Sequence, residues 1–254
     1  MKTIARTILE WWLHGCVRIA LVRFRPMMIA IVGSTDKTTT KLAISAELRS
    51  HGHRVRAHVK SYNTSIGLPL AILNLESGGS SAGQWTRVMA AALWNCCFDD
   101  DFPNIIVVEL GVDHPGEMRG LLRLITPIIC VITTVTGEYV THFGDLEAVA
   151  REFGTVAKMV PSDGLVVLNN NDLRVKELGK NGQAKIVRIG HAASSDAVIQ
   201  DQQSSQVGQQ WTLTYEGKQT TCHSIGTGRH NQFAESAAVV VDQWIDRHAN
   251  QKTV

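Results

Sequence analysis

The chain has 254 residues, of which 44% are hydrophobic and 19% are charged, the composition of a globular protein with room for one large domain. A formal net charge of +2 excludes a nucleic-acid binder that depends on bulk positive charge, because such proteins carry a strongly basic face. Five cysteines without metal-ligand spacing predict reduced thiols in a cytoplasmic protein: Cys16, Cys96, Cys97, Cys130 and Cys222.

Residues 1–26 are predicted to form an amphipathic N-terminal helix ahead of a main domain over 27–254. His14, Arg18 and Arg23 interrupt every apolar run that could otherwise span a membrane. The helix either packs on its own domain, or it lies on a membrane surface or docks to a partner, because tryptophans beside arginines suit an interface. Its apolar positions near helical spacing are Ile4, Ile8, Trp11, Trp12, Ile19 and Val22.

Strand and helix patterns alternate through the middle of the chain. The segments "MMIAIVG", "RVRAHVKSYN", "NIIVVELG", "PIICVITTV" and "GLVVLNNND" are typical of strands. The segments "KTTTKLAISAELRSHG", "QWTRVMAAALWNCCF", "GEMRGLLRLI" and "DLEAVAREFGTVAKMV" indicate helices. Such alternation predicts an α/β fold with a mostly parallel sheet flanked by helices. Ligands of these sheets bind at the carboxyl ends of the strands, where Gly33, Glu109 and Thr134 are expected.

The alternation of strand and helix patterns ends near Asp196, where polar residues become frequent. The segment "QDQQSSQVGQQ" is interpreted as a polar loop, and "WTLTYEGKQTTCHSIG" as a small β-hairpin that turns at Glu216 and Gly217. A last helix, "NQFAESAAVVVDQWIDRH", follows. No internal repeat and no separate second domain is evident.

The segment "GSTDKTTT" lies between the first strand and its helix and resembles a phosphate-binding loop (P-loop). In such a strand-loop-helix unit, backbone N–H groups surround the phosphates, a lysine reaches the terminal phosphates and the next hydroxyl binds Mg²⁺. Lys37 and Thr38 match these two roles. The alternative is a plain strand-to-helix turn in which Asp36 caps the helix.

Two further features add to the loop. Glu109 lies at the end of a buried strand, where a metal ligand is commonly placed. The segment "GRHNQF" places Arg229, His230 and Asn231 in a glycine-bounded turn that could equally be a simple helix start.

Taken in order, "GSTDKTTTK", "YNTSIGLPLAIL", "VVELGVDHPGEM", "PIICVITTV", "FGDLEAVA" and "GRHNQFAESAA" resemble the central ATP-binding domain of the Mur ligase family, in its D-alanyl-D-alanine-adding branch. The resemblance covers roughly residues 28–248. It implies an ATP-dependent amide ligase of peptidoglycan precursor synthesis, with ATP and Mg²⁺ as cofactors and a UDP-muramoyl peptide as substrate.

The resemblance also implies roles for individual residues. Lys37 would hold the terminal phosphates, and Thr38 with Glu109 would hold Mg²⁺, so that Lys37 and Glu109 act in catalysis. His230 and Asn231 would contact the adenine side, and Asn63 with Thr64 would face the substrate. The nucleotide-binding positions in the loop itself are Gly33, Ser34, Thr35, Asp36, Lys37, Thr38 and Thr39.

Several positions depart from the family pattern. Asp36 replaces a glycine, and a carboxylate about 4 Å from a phosphate charge costs roughly 4 kcal/mol at an effective dielectric near 20, about a thousandfold in affinity. Thr134 replaces an asparagine, Tyr139 aligns with a metal-binding histidine, and Phe153 aligns with a lysine that many members carbamoylate. The nearest alternatives, His142 and Lys158, are out of register.

Family members also have flanking domains that bind the UDP-sugar and close over ATP, and neither is recognised here. The sequence therefore leaves three hypotheses open: a Mur-type ligase that works with a protein partner or a missing domain, a non-catalytic Mur-like binding or scaffold module, and an unrelated phosphate-loop protein.

Overall fold

A computed structural model describes the backbone of residues 2–180 and 182–251 and the side chains of residues 4–180 and 182–248. The helices are α1 (Lys2–Phe24), α2 (Lys37–Ser50), α3 (Gly67–Leu73), α4 (Ala82–Phe98), α5 (Glu117–Leu122), α6 (Val140–Phe143), α7 (Leu146–Met159) and α8 (Arg229–Gln251). The strands are β1 (Met27–Val32), β2 (Val55–Ala57), β3 (Ile105–Leu110), β4 (Ile129–Ile132), β5 (Leu165–Asn169), β6 (Lys185–Gly190), β7 (Ala197–Ser205), β8 (Gly208–Tyr215) and β9 (Lys218–Ser224).

One sheet contains all nine of these strands, in the order β2-β3-β1-β4-β5-β6-β7-β8-β9. Every pair from β2 to β7 is parallel, whereas β7, β8 and β9 pair antiparallel. The predicted α/β class with a C-terminal hairpin is therefore confirmed. Because β1 lies between β3 and β4, the chain changes direction across the sheet at the carboxyl end of β1, where ligands of open α/β sheets bind.

Two apolar cores cover the two faces of the sheet. On one face, helices α1, α3, α4, α5 and α7 pack against the even-numbered residues of β1, β3, β4 and β5. On the other face, α2 and α8 pack against the opposite residues of the same strands and against Trp211 of β8. This double coverage explains why β1, β3, β4 and β5 are nearly continuous runs of apolar residues.

The C-terminal part of the sheet differs from the sequence prediction. The segment that was expected to be a polar loop is β7 with the start of β8, joined at Ser205 and Gly208 and interrupted by a bulge between Gln200 and Gln203. Residues 200–205 are all exposed, so they lack the apolar alternation by which a half-buried strand is recognised. Strand β6 was not predicted, and "RVRAHVKSYN" contributes only the three residues of β2.

Helix α1 packs on α3 and α4, largely through residues other than the apolar positions named from the sequence, with Trp12 as the exception. Trp12 Nε1 donates to Met89 O at 3.1 Å, and the Phe24 ring stacks on Phe102 at 4.2 Å. The buried positions are Leu13, Cys16, Val17 and Ala20, whereas Ile4, Ile8, Trp11, Ile19 and Val22 are exposed. Helix α1 is thus apolar on both sides. Among the described residues, no helix is both long and apolar enough to cross a bilayer.

Candidate functional site

The loop after β1 places its lysine in the interior of the site. Lys37 is buried, and its Nζ donates to Gly33 O at 2.6 Å and to Ser34 O at 2.8 Å. Burial lowers the pKa of Lys37, and the nearby carboxylates of Glu109, Glu138 and Asp36 oppose that shift. The ammonium is therefore held by two loop carbonyls, which a phosphate could replace as its partners.

Asp36 occupies a backbone position that suits glycine. Its φ of 64° and ψ of 9° lie in the left-handed region, which a side chain with Cβ adopts only at a cost. Its Oδ2 accepts a hydrogen bond from Thr35 Oγ1 at 2.9 Å, and its side chain makes no hydrogen bond that caps α2. The alternative interpretation of Asp36 as a helix cap is therefore wrong. The Asp36 side chain therefore accepts no hydrogen bond from the first N–H groups of α2.

Thr133 fixes the loop from the neighbouring strand end. Its Oγ1 donates to Thr35 O at 2.7 Å, and a Cβ at Gly33 would lie 2.0 Å from Thr133 Oγ1. Ser34 N donates to Thr134 O at 2.8 Å, and Thr134 Oγ1 lies 2.9 Å from Thr35 Oγ1. The loop is thus held in one conformation by the end of β4.

Oxygen atoms from three elements converge beside Lys37. Thr38 Oγ1 donates to Glu109 Oε1 at 2.9 Å, and Ser61 Oγ lies 2.9 Å from Thr38 Oγ1 and 3.3 Å from Glu109 Oε1. This set can hold one Mg²⁺, because hydroxyl and carboxylate oxygens are the ligands that this ion prefers. Ser61 was not predicted, because nothing in its local sequence distinguishes it.

Glu109 has a second partner that the sequence prediction missed. Lys41 Nζ lies 2.7 Å from Glu109 Oε1, and the two side chains are each 2% exposed. Lys41 Nζ also donates to His58 O at 2.6 Å. The negative charge of Glu109 is therefore balanced within the protein before any metal ion binds. Lys41 lies one helical turn after Lys37, and this spacing was the only available signal.

Two pockets meet at Asp36. One, of about 320 Å³, is lined by Lys37, Thr38, Glu109 and Tyr139 among others, with Ser34 and Thr39 also on its wall. The other, of about 260 Å³, is lined by Asp36 with the ends of β4, β5 and the start of α8. The Asp36 side chain therefore lies on the path between them.

The start of α8 forms the far side of the second pocket. Arg229 and His230 line it, whereas Asn231 is not among its lining residues and donates through Nδ2 to Thr227 O at 3.2 Å. Glycines leave room for these side chains: a Cβ at Gly228 would lie 2.7 Å from His230 Cε1, and one at Gly226 would lie 2.6 Å from Asn231 Nδ2.

A third pocket of about 390 Å³ adjoins the first. Asn63 and Tyr139 line both, and Thr64 lines the third together with Arg6 and His14 of α1. Thr64 Oγ1 also accepts from Gly67 N at the start of α3. A Cβ at Gly111 would lie 2.2 Å from Asn63 Nδ2, so the Asn63 side chain fits here only because residue 111 is glycine.

Two positions that depart from the family pattern, Tyr139 and Phe153, supply no metal ligand of the usual kinds. Tyr139 lies beside Lys37, with the ammonium 5.9 Å from the ring centroid, and burial raises the pKa of its phenol, which favours the neutral form. Phe153 is 1% exposed and packs in the core. His142 stacks on His114 at 4.6 Å, and Lys158 is exposed at the end of α7.

Comparisons with known proteins identify the family of the chain. The family model of the Mur ligase middle domain matches residues 97–241, more than half of the chain. The chain is 26% identical over 212 residues to UDP-N-acetylmuramoyl-tripeptide--D-alanyl-D-alanine ligase of Escherichia coli strain K12, covering 80% of this chain and 40% of that protein. The corresponding ligase of Mycobacterium tuberculosis strain H37Rv is 27% identical over 169 residues, 66% of this chain and 28% of that protein. The chain thus spans less than half the length of either relative.

Solved structures have the same fold. MurF from Acinetobacter baumannii superposes with a TM-score of 0.73 at 18% identity, covering 95% of this chain and 47% of that one. MurF ligase from Thermotoga maritima in complex with ADP superposes with a TM-score of 0.72 at 17% identity, covering 92% and 49%.

Proposed function

This chain belongs to the Mur ligase family, and from that membership we infer that its loop region binds ATP for an ATP-dependent ligase reaction that forms an amide bond on a peptidoglycan precursor. In that reaction the terminal phosphoryl group of ATP moves to a carboxylate of a UDP-muramoyl peptide. An amine of an amino acid or dipeptide then displaces phosphate to form the amide. The family's curated members named above are ligases of UDP-N-acetylmuramoyl-tripeptide and D-alanyl-D-alanine.

One observation carries this proposal: Lys37, Thr38 and Glu109 line one pocket at the carboxyl ends of β1 and β3. The pocket also lies at the N-terminus of α2, where free N–H groups and the helix dipole favour an anion. The terminal phosphates of ATP require an ammonium group and a helix N-terminus, and its Mg²⁺ requires oxygen ligands. All three lie on the wall of this pocket.

Each group then has a definite task. Lys37 would exchange the carbonyls of Gly33 and Ser34 for the terminal phosphates, and Thr38 and Glu109 would hold Mg²⁺. The ion supplies neutralisation of the negative charge that develops during phosphoryl transfer. Lys41 would hold the Glu109 carboxylate in place and balance its charge, because a buried carboxylate without a cation is costly.

We place the carboxylate substrate in the third pocket. Asn63 and Tyr139 line both this pocket and the one that holds Lys37, so a substrate carboxylate near Asn63 would lie next to the terminal phosphate. Arg6 and His14 of α1 also line it, which gives the N-terminal helix a part in forming the substrate wall. On this proposal the helix of residues 1–26 and the domain over 27–254 work as one unit.

Asp36 is the main obstacle to ATP binding. Its carboxylate lies between the two pockets that would hold the phosphates and the adenine side, so it opposes the phosphate charge. Thr35 Oγ1 already donates to this carboxylate at 2.9 Å, which draws it toward the loop. We propose that the charge weakens nucleotide binding without abolishing it.

Formation of ADP tests the proposal. The full chain is incubated with ATP, Mg²⁺, a UDP-muramoyl tripeptide and D-alanyl-D-alanine, and ADP release is measured with each substrate omitted in turn. We expect ADP release that requires both substrates and is lost in Lys37→Met. The matched control is Lys158→Met, because Lys158 is an exposed lysine outside the site. ADP release independent of the substrates would contradict the ligase assignment.

A non-catalytic binding module is the second candidate. Phe153 is buried and Tyr139 is a neutral phenol, so the second metal position of the family has no ligand from either residue. Such a module would bind ATP in the same pocket and would release no ADP under any substrate combination. The same assay therefore separates the two candidates.

The outward face of α1 supports a contact with an anionic membrane surface. Trp11 is 77% exposed and Val22 is 73% exposed, and the exposed arginines 18, 23 and 25 flank this apolar face. Tryptophan and aliphatic side chains between arginines suit the headgroup boundary of anionic lipids. A protein partner on this face would instead leave the chain indifferent to lipid vesicles.

A further inference from the structure

A cluster of imidazoles and carboxylates lies where the C-terminal end of α2 meets α8, away from the nucleotide pocket. Glu47 and His51 are one helical turn apart at the end of α2, and Asp242 and Asp246 are one turn apart on α8. His53 follows in the turn after α2. The ligand atoms of Glu47, His51 and Asp242 lie within 4.8 Å of one another, and so do those of His53, Asp242 and Asp246. Asp242 is common to both sets.

The shared carboxylate is buried and incompletely satisfied. Asp242 is 5% exposed, and its Oδ1 accepts no hydrogen bond of normal geometry. His51 Nδ1 nevertheless lies 2.9 Å from this oxygen. Imidazole nitrogen and carboxylate oxygen are both zinc ligands, and here the two atoms lie close enough together to bind one ion. Buried carboxylate oxygens are otherwise nearly always hydrogen-bonded.

The charge around Asp242 also calls for a cation. Three carboxylates converge here, and among the ion pairs of the described residues none joins a lysine or arginine to them. The nearby arginines are used elsewhere: Arg49 donates to Val55 O, and Arg247 pairs with Glu216. Among the described residues, the groups that approach Asp242 as potential counter-charges are the imidazoles of His51 and His53.

We propose that Glu47, His51 and Asp242 bind a zinc ion, with His53 and Asp246 at the edge of the same site. Imidazole nitrogen with carboxylate oxygen is a ligand set for Zn²⁺, whereas Mg²⁺ prefers oxygen ligands alone and retains most of its water. Three protein ligands leave a fourth tetrahedral position for water or for His53.

The position of the cluster gives the ion a structural task. Helix α2 has 14 residues, so its end lies about 20 Å from Lys37 at a rise of 1.5 Å per residue. Helices α2 and α8 both begin at the nucleotide pockets and both reach the cluster. A zinc ion there would fix the two helices relative to each other and stabilise the walls of the ATP site. This inference is independent of the proposed ligase reaction.

Metal titration of the purified full chain tests the site. After removal of metal by a chelator and dialysis, Zn²⁺ is titrated against a chromophoric zinc indicator, and Co²⁺ is added separately to record its visible absorption. We expect one zinc per chain with micromolar or tighter affinity, no competition by millimolar Mg²⁺, and the intense absorption of tetrahedral cobalt. Zinc should also raise the Tm of the natural chain.

Three variants assign the ligands. His51→Asn and Glu47→Gln alter side chains that are exposed or half-buried, so the fold should persist, and each should weaken zinc binding at least tenfold. Asp242→Asn should abolish the zinc-dependent rise in Tm. His223→Asn, an exposed histidine on β9, should bind zinc as the natural chain does. Zinc affinity that is unchanged in His51→Asn and Glu47→Gln, or zinc that millimolar Mg²⁺ displaces, would overturn the proposal.

Discussion

The buried pair of Lys41 and Glu109 gives the sharpest test of how the site is built. The two side chains are 2% exposed, their charged atoms are 2.7 Å apart, and Lys41 has one further partner, the carbonyl of His58. Replacing Lys41 by Met keeps most of the volume but leaves Glu109 with hydroxyl donors only. Removing one member of such a pair costs about 3–5 kcal/mol, because an uncompensated charge stays buried.

The double variant separates lost charge from lost packing. Lys41→Met with Glu109→Leu removes both charges, and replacing a buried pair by apolar groups is often neutral. We expect Lys41→Met alone to lower Tm by roughly 6–20 °C, at about 2–4 °C per kcal/mol for a domain of this size. The double variant should recover most of that loss.

The assays are thermal unfolding, which gives Tm, and urea unfolding, which gives the free energy of unfolding, both followed by circular dichroism with Lys158→Met as the exposed-lysine control. The control should change the free energy of unfolding by less than about 0.5 kcal/mol. A loss below 1 kcal/mol in Lys41→Met, or a double variant that is less stable than the single one, would refute the reasoning.

Three further changes have definite outcomes. Gly33→Ala would place a Cβ 2.0 Å from Thr133 Oγ1 at a φ of +147°. Calorimetry should therefore record a loss of stability above about 2 kcal/mol and no ATP binding. The control Gly83→Ala in α4 should be neutral or stabilising. Asp145 Oδ1 accepts from the third backbone N–H of α7 at 2.6 Å, so Asp145→Ala should lower the free energy of unfolding by about 1 kcal/mol in urea titration, and an unchanged midpoint would exclude a capping role. Trp11→Glu should reduce sedimentation with phosphatidylglycerol vesicles at least tenfold, and a natural chain that ignores those vesicles would count against the membrane contact.

The parallel half of the fold could be predicted because its signals are local. Strands buried on both faces are apolar runs, and the helices between them begin and end at recognisable residues, such as Asp145 before α7. The segment of residues 200–205 gives no such signal, because its exposed polar side chains leave only backbone hydrogen bonds to define the strand. The buried face of helix α1 could not be predicted, because apolar residues occupy both of its sides.

Contacts at the site depend on topology more than on local pattern. Lys37 and Thr38 could be recognised from the strand and helix on either side of the loop. The pairing of Lys41 with Glu109 could not, because it requires β3 to lie beside β1, and the sequence separates the two residues by two helices and a strand. Topology likewise brings His51, at the end of α2, to Asp242 of α8, although the two residues are far apart in the sequence.

Asp36 affects nucleotide binding in two ways, through its left-handed backbone and through its charge. Its left-handed backbone is the conformation that a glycine would adopt freely, so the loop keeps its shape despite the carboxylate. Asp36→Gly relieves both the backbone strain and the charge, whereas Asp36→Asn removes the charge alone. The two variants therefore distinguish the two penalties.

Calorimetric titration with ATP, in the presence and absence of Mg²⁺, tests the central claim most directly when the natural chain is compared with Asp36→Asn and Asp36→Gly. We predict Mg²⁺-dependent binding by the natural chain and an affinity gain of at least tenfold, and at most about a thousandfold, in Asp36→Asn. Absence of ATP binding in all three proteins, or equal binding after Lys37→Met, would contradict a nucleotide site at this loop.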